Sequence, residues 1–339
     1  MILILTEPGD VHADRVEQRL RERGLQMIRI DPEDFPVRMG LSVSFSAEGE
    51  PRIVLRTDSA TFDMAEIAAV WYRRPNPPMP HPELEDDLVR RFVEEECLLF
   101  VRDVLSLLDC PWVPAERSVL QRAHLKALQL KVAGTLGFEL PPTLITNRPE
   151  DFLDFYREHG GNIVSKLAET AFGKTFSATC WRYTEPVSTR DVGYSRAIRY
   201  CPTIFQAYVP KRLELRITVV GREAFAAEIH SQQVNHTRHD WRRYDFHETL
   251  YRVHELPPDI RRCCVRLVEE LGLSYGTIDM VLTPDERYVF LEINPNGQYL
   301  WIEDETGLPI SDSICDLLSR PHTGMSTAQL STSLTGGAW

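Results

Sequence analysis

Apolar residues along this chain recur with two periods, and the switches from one to the other mark out its elements. The run "MILILT", the amphipathic stretch "HADRVEQRLRERG" and then "LQMIRID" predict a strand, a helix and a second strand, the opening of a βαβ unit. Residues 41–55 alternate as a hairpin does, and "AAVWYRRP" reads as a buried strand ending in charge. "ELEDDLVRRFVEEECLLFVRDVLSLLD" has helical spacing with acid at its start, where the positive end of the helix dipole favours it. Pro111 and Pro114 then mark a first boundary.

Beyond that boundary the spacing predicts a helix over 124–136 stopped by Gly137, a strand in "PPTLIT", and a helix in "PEDFLDFYREHG" stopped by Gly160 and Gly161. "NIVSKL" follows as a strand carrying one lysine. Residues 175–184 alternate as a strand, "EPVSTRDVGYSR" has the composition of a loop between strands, and "TIFQAYV", "ELRITVVG" and "EAFAAEIH" are expected to continue one sheet. A polar stretch, 231–248, separates these from the helix "PDIRRCCVRLVEELGL" and the strand pair "YGTIDMVLTPDERYVFLEIN". "DSICDLLSR" is read as the last helix, and the Ser/Thr/Gly-rich tail, 321–339, has no period and is expected to be disordered.

The strand pair carries the most informative chemistry. Around the turn "TPDER" apolar and polar residues alternate, so Glu292 and Asn294, two apart, share a face and Asp279 can lie opposite them. Three hard oxygen ligands on a rigid sheet suit Mg²⁺, which keeps water and phosphate as its remaining ligands. Lys126 and Lys166 precede this trio, and a lysine between apolar neighbours, as in "NIVSKL", calls for an anionic partner such as a triphosphate. "AFGKTFSA" lacks the spacing of a Walker A loop, and no G-x-G-x-x-G follows a strand, so the phosphate cradle is of another type.

Composition narrows the class. With 339 residues, 43% of them hydrophobic, the chain can bury two or three subdomains. Its 38 basic and 50 acidic residues give a net charge of −12, which argues against nucleic acid and against an anionic membrane surface as partners. No stretch approaches the roughly 20 apolar residues of a membrane span and the N-terminus lacks the form of a signal peptide, so a cytoplasmic protein is expected. Seven scattered cysteines without a C-x-x-C pair indicate reduced thiols, and the spacing of His230, His236, His239 and His247 matches no zinc pattern. One of these histidines could instead act as a general base.

In order along 113–320, Lys126, "PPTLITN", Lys166, "FQAYV", "ELR", Asp279 and "LEINPNGQ" resemble the ATP-grasp ligases. "VWYRRP", "HDWRRYD" and "LEINPNGQYLWIEDETGLPI" extend the likeness to the ATP-grasp macrocyclases of the microviridin type, which cross-link ribosomally made precursor peptides called graspetides. The resemblance implies an α/β (α+β) chain of ATP-grasp fold with an N-terminal βαβ pre-ATP-grasp domain. Its divisions would be 1–112 for that domain, 113–205 and 206–320 for the central and C-terminal ATP-grasp subdomains, and 321–339 for the tail. It implies ATP held by Lys126 and Lys166 on the phosphates, the Gln206, Ala207, Tyr208 and Val209 backbone along the adenine, Glu214 among the nucleotide contacts and Arg216 by the γ-phosphate. Asp279, Glu292 and Asn294 would hold Mg²⁺. The single glycine of "ETAFGKTFSA" is fewer than a phosphate loop of this family has.

The chemistry so implied is activation of a peptide Glu or Asp side chain as an acyl phosphate, then attack by Ser, Thr or Lys to give an ω-ester or ω-amide. Arg242 and Arg243 are candidates to hold the acceptor carboxylate through their planar forks, or they pair with Asp240 and Asp245 on a surface loop. Trp71, Arg73 and Arg74 are either a core anchor with two solvated charges or one wall of the substrate cleft. Residues 175–199, with Trp181, Arg182 and Tyr183, are where such an enzyme would dock the leader of its precursor, the core entering the active site, and a homodimer is implied. The alternative is a ligase adding an amino acid or amine to a small acid or to a protein or peptide C-terminus.

Overall fold

A computed structural model describes residues 1–166, 184–230 and 250–320. Contacts divide it into two units, 1–113 together with the described residues from Cys315 onward, and 114–314.

In the first unit β1 (Ile2–Thr6), α1 (Val11–Glu22) and β2 (Met27–Ile30) form the expected βαβ opening. Asp10 caps α1 by accepting from the His12 amide, which satisfies one of the helix's orphan donors. The predicted hairpin is β3 (Met39–Phe45) and β4 (Pro51–Thr57), and a third strand, β5 (Thr61–Asp63), joins it. β6 (Ala69–Arg74) pairs parallel to β1. α2 (Asp87–Ser106) follows the Asp86 cap, which lies three residues after the pattern's first acid, and β7 (Trp112–Val113) completes a parallel sheet in the order β2-β1-β6-β7. Leu3, Leu5, Val70 and Val104 are fully buried between this sheet and its covering elements. Trp71 is in the core at 2% exposure, and Arg73 is equally buried against Asp10 rather than solvated.

The second unit opens with a short helix that the spacing does not predict, α3 (Arg117–Ala123), then the expected one, α4 (Lys126–Thr135), and Gly137 follows at φ +87°, a conformation glycine adopts without strain. β8 (Thr143–Thr146), α5 (Pro149–Glu158) and β9 (Ile163–Lys166) come next. The segment read as a loop instead holds β10 (Glu185–Pro186), α6 (Thr189–Gly193) and a 3-10 helix, Ser195–Tyr200. Its turn-type residues are a capping box, in which the Ser188 hydroxyl accepts from the Asp191 amide and the Asp191 carboxylate accepts from the Ser188 amide. β11 (Thr203–Ala207) closes an antiparallel sheet ordered β10-β9-β11-β8.

β12 (Leu213–Val220) and β13 (Glu223–Ile229) do not continue that sheet, because Pro210 offers no N–H to a ladder and the chain turns into a second one. With β14 (Tyr251–Val253), α7 (Pro258–Glu270), β15 (Tyr275–Leu282) and β16 (Tyr288–Asn294), the second antiparallel sheet runs β14-β13-β12-β15-β16. Every residue of β12 and β15 is buried, as expected of central strands covered on both faces. α8 (Leu300–Thr306) and α9 (Ile310–Leu318) follow. No helix among the described residues is long and apolar enough to cross a membrane.

Candidate active site

Strict alternation from Tyr288 and Phe290 would turn Glu292 toward the same face as the buried Phe290. It does not, because the pairing of β15 with β16 slips by one: Met280 faces Phe290, whereas Asp279 faces Glu292 and Thr277 faces Asn294. Leu291 is thus an extra residue, a β-bulge, and such bulges re-aim side chains. Asp279 and Glu292 stand side by side on one face of the sheet, and Arg216 of β12 lies opposite Asp279 in the same row.

Two cations neutralise these two acids. Arg216 Nη1 donates to Asp279 Oδ1 at 2.8 Å and to Oδ2 at 2.9 Å, and its Nη2 donates to Gln298 O at 3.0 Å. Lys126 Nζ donates to Glu292 Oε2 at 2.7 Å. The Arg216 and Asp279 side chains are only 6% and 13% exposed, so either charge would be costly to bury without the other. Gln129, one turn after Lys126, is buried and fixes α4 to β16: its Nε2 donates to Ala123 O and Ile293 O at 2.7 and 2.8 Å, and its Oε1 accepts from the Ile293 amide. Lys126 is thereby aimed from a helix anchored at the strand whose carboxylate it meets.

The segment "NPNGQ" crosses directly over this cluster. A Cβ at Gly297 would lie 1.6 Å from Thr277 Oγ1 and 2.8 Å from Arg216 Nη2, so only glycine fits. Tyr275 Oη donates to Gly297 O at 2.6 Å and holds the crossing down. Asn294 lies one row from Asp279, and its Oδ1 accepts from the Asn296 amide at 3.0 Å.

Beside the cluster opens a cleft lined by both polar and apolar side chains. Both antiparallel sheets line it, the first through Lys166, Gln206 and Ala207 and the second through Glu214, Asp279 and Glu292. Tyr208, Val209 and Lys211 bridge them, while Val164, Met280 and Leu291 supply apolar surface. The Ala207 and Tyr208 amides donate within the protein, to Pro142 O and Asn162 O, so a base at this edge would meet carbonyl oxygens or the Val209 amide. The Gln206 side chain is buried on Thr143 Oγ1.

The structure therefore brings Lys126, Arg216, Asp279 and Glu292 into one cluster and sets Lys166, Gln206–Val209 and Glu214 around the adjoining cleft. Arg242 and Arg243 lie outside the described residues, as do His236, His239, His247, Trp181, Arg182, Tyr183, the "ETAFGKTFSA" segment beyond its neighbour Lys166, and 321–339. Sequence reasoning missed Lys211, whose ammonium meets the Glu214 carboxylate with both side chains below 10% exposed. Its position three residues before the acid of "ELR" was the available signal.

The donor set fits a hard divalent ion. Among the described residues no three His, Cys, Asp or Glu side chains converge, so an ion at Asp279 and Glu292 would complete its shell with Asn294, water or phosphate oxygens. His230 serves otherwise: its Nε2 is 2.8 Å from Glu228 Oε2, and Glu228 Oε1 is 2.8 Å from Nδ1 of His254. Burial alone would raise the Glu228 pKa, but hydrogen bonds from the two imidazoles outweigh it and hold the group below its usual value.

Comparison with known proteins places these features. Residues 1–118 match the family model of the MvdD pre-ATP grasp domain. A RiPP-associated ATP-grasp ligase from Chryseobacterium gregarium, solved with ADP and a leader and core peptide, is 32% identical, superposes with a TM-score of 0.85, and is covered over 96% of its length by 94% of this chain. The macrocyclase MdnC of Microcystis aeruginosa, solved with precursor peptide MdnA, is 31% identical with a TM-score of 0.81, over 94% of this chain and 98% of that one. The ribosomal protein bS6–L-glutamate ligase of Salmonella paratyphi B is 26% identical over 218 residues, 62% of this chain and 68% of that ligase.

Proposed function

The chain belongs to the RiPP-associated ATP-grasp ligases, and on that premise we propose that it closes ω-ester or ω-amide cross-links within a ribosomal precursor peptide, using ATP and Mg²⁺. The observation that carries this reading is the register of β15 and β16, which sets two carboxylates beside Arg216 and Lys126 along a cleft that two antiparallel sheets line together.

The reaction needs positioning and charge compensation rather than a nucleophile of the protein's own. A peptide Glu or Asp carboxylate oxygen attacks the γ-phosphorus of ATP, the bond to the β-phosphate oxygen breaks, and ADP leaves. A Ser or Thr hydroxyl or a Lys amine then attacks the acyl carbon and releases phosphate, so each ring costs the peptide one water. Bound Mg²⁺ would offset the charge of the phosphate oxygens as they transfer. Asp279 and Glu292, with Asn294 one row along, are the residues suited to hold it. With an ion held there, Arg216 and Lys126 would share their partners' charge with it and would be available to phosphate oxygens. Lys166 would reach the phosphates from β9, Gln206–Val209 would edge the adenine, and the buried Lys211–Glu214 pair lines the same cleft. Arg242 and Arg243 remain our candidates for the acceptor carboxylate.

Leader docking is assigned to 175–199. In its described part and just beyond, Tyr194 and Tyr200 are 67% and 82% exposed, with the Arg199 guanidinium over the Tyr200 ring. Aromatic and arginine side chains are effective peptide anchors. A homodimer fits the apolar stripe Leu88, Phe92 and Leu99, exposed on α2, and the need for ATP fits a cytoplasmic setting.

The test is ADP release by the purified chain with ATP and Mg²⁺, with and without the leader-bearing peptide encoded beside its gene. Release that depends on the peptide supports the reading. Release driven equally by free amino acids and small acids would favour the second reading, addition of an amino acid to a carboxylate, which the likeness to the bS6 ligase supports.

A further inference from the structure

The row of residues that carries Glu292, Asp279 and Arg216 does not stop there. Arg216 faces Ala227 across β12 and β13, and Ala227 faces Val253 across β13 and β14, so all five side chains project from one face. Neighbouring strands are about 4.8 Å apart. Among the described residues, β16, β15 and β12 line the cleft and no residue of β13 does.

Past Arg216 the surface changes character. Val253, on β14, is 56% exposed. Tyr251, two residues back and on the same face, packs edge-on against Trp301 of α8, with ring centroids 5.0 Å apart and planes at 63°. α8 is tied to the cluster through the preceding segment, since Arg216 Nη2 donates to Gln298 O three residues before Trp301. Both rings are half-buried, and Ala227, which faces Val253, and Ile229, which faces Tyr251, are buried. The result is an apolar shelf that begins where the charged cluster ends.

We propose that this shelf is a specificity site for the core peptide: Trp301, Tyr251 and Val253 take up an apolar or aromatic residue adjacent to the reacting Glu or Asp while that acid meets the cluster at Arg216. The inference rests on the ligase reading. It follows from where the two substrates can lie. A nucleotide in the cleft would cover the sheet on one side of Arg216, so an acceptor would approach the transferable phosphate from the other side, where the described residues of this face, Ala227, Val253, Tyr251 and Trp301, are apolar or aromatic. Shelf contacts would be made by residues that do not react, and would therefore set which core sequences are accepted without altering the chemistry.

Trp301→Ala and Val253→Glu test this, with Trp301→Phe as the conservative control. Peptide-dependent ADP release gives KM for the encoded peptide, and calorimetric titration with MgADP reports the nucleotide site separately. We expect KM for the peptide to rise about tenfold in Trp301→Ala and Val253→Glu, with Kd for MgADP within about twofold of the unaltered enzyme and KM largely restored in Trp301→Phe. Val253 is exposed, so its replacement does not threaten folding. Unchanged peptide KM in both variants, or a parallel loss of MgADP affinity in both, would overturn the inference. Absence of peptide-dependent ADP release from the unaltered enzyme would overturn the ligase reading, and this one with it.

Discussion

Asp279 faces Glu292 across β15 and β16 because Leu291 is an extra residue in the pairing between them. In an unbroken register Leu291 would oppose Asp279, and Glu292 would share a face with the buried Phe290. The bulge both assembles the acidic pair and leaves Leu291 lining the cleft. Glu292→Gln keeps the shape and removes the charge, and its side chain is 23% exposed, so the fold should tolerate it. We expect turnover to fall about a hundredfold or more with little change in thermal midpoint. Near-normal ADP release would refute the metal assignment. Asp279→Asn should be as inactive but less stable, since Arg216 would then be buried beside a neutral partner.

Gly297 is held between Thr277 and Arg216 with no room for a methyl group. Gly297→Ala must push the crossing segment off the sheet, so we predict a loss of about 1–3 kcal/mol in unfolding free energy and weaker MgADP binding. Chemical denaturation and calorimetry measure the two effects. A fully stable variant with unaltered nucleotide affinity would show that the segment does not seat there.

The first unit carries a buried polar group of its own. Asp10 accepts from the Thr6 hydroxyl at 2.7 Å and meets Arg73 Nε at 3.4 Å, with both charged side chains at or below 4% exposure. Arg73→Met strands the carboxylate, and a cost of about 3 kcal/mol is expected on urea denaturation. A change below about 0.5 kcal/mol would mean that solvent reaches Asp10.

His12, next to that pair, is pushed down to about 3 by burial first and then by Arg73, against the opposing pull of Asp10. The folded state therefore binds fewer protons than the unfolded chain between about pH 6.5 and 3. Its contribution is present above pH 6.5 and is lost as pH falls toward 3. His12→Gln should flatten the fall in stability across that window, which denaturant midpoints at successive pH values would register. An unchanged slope would place the imidazole in solvent.

Arg242→Ala and Arg243→Ala should lower peptide turnover more than they weaken MgADP binding, if the guanidinium forks hold the acceptor carboxylate. Unaltered turnover in both would return these residues to a surface role.

Much of the architecture was legible because long elements repeat their pattern several times. α1, α5, α7 and β15 stand where periodicity predicts them. The three-residue strands β5 and β14 are shorter than any period can register, and α6 was hidden by a capping box that reads as turn composition. Local context points to Asp279, Glu292 and Lys126, and the family resemblance adds Arg216, but their pairing is not legible, since Lys126 and Glu292 are 166 residues apart and only the fold joins them. The bulge at Leu291 left no local signal, as leucine is ordinary in a strand. Arg73 was misjudged because charge at a strand end is normally solvated, and its partner Asp10 lies on another element.

Intact mass spectrometry of the encoded precursor peptide after incubation with the enzyme, ATP and Mg²⁺ tests the central claim most directly. The account predicts loss of one water from the peptide for each cross-link closed, dependent on ATP and absent with Glu292→Gln. A peptide that gains the mass of an added residue, or that keeps its mass while ADP accumulates, would contradict it.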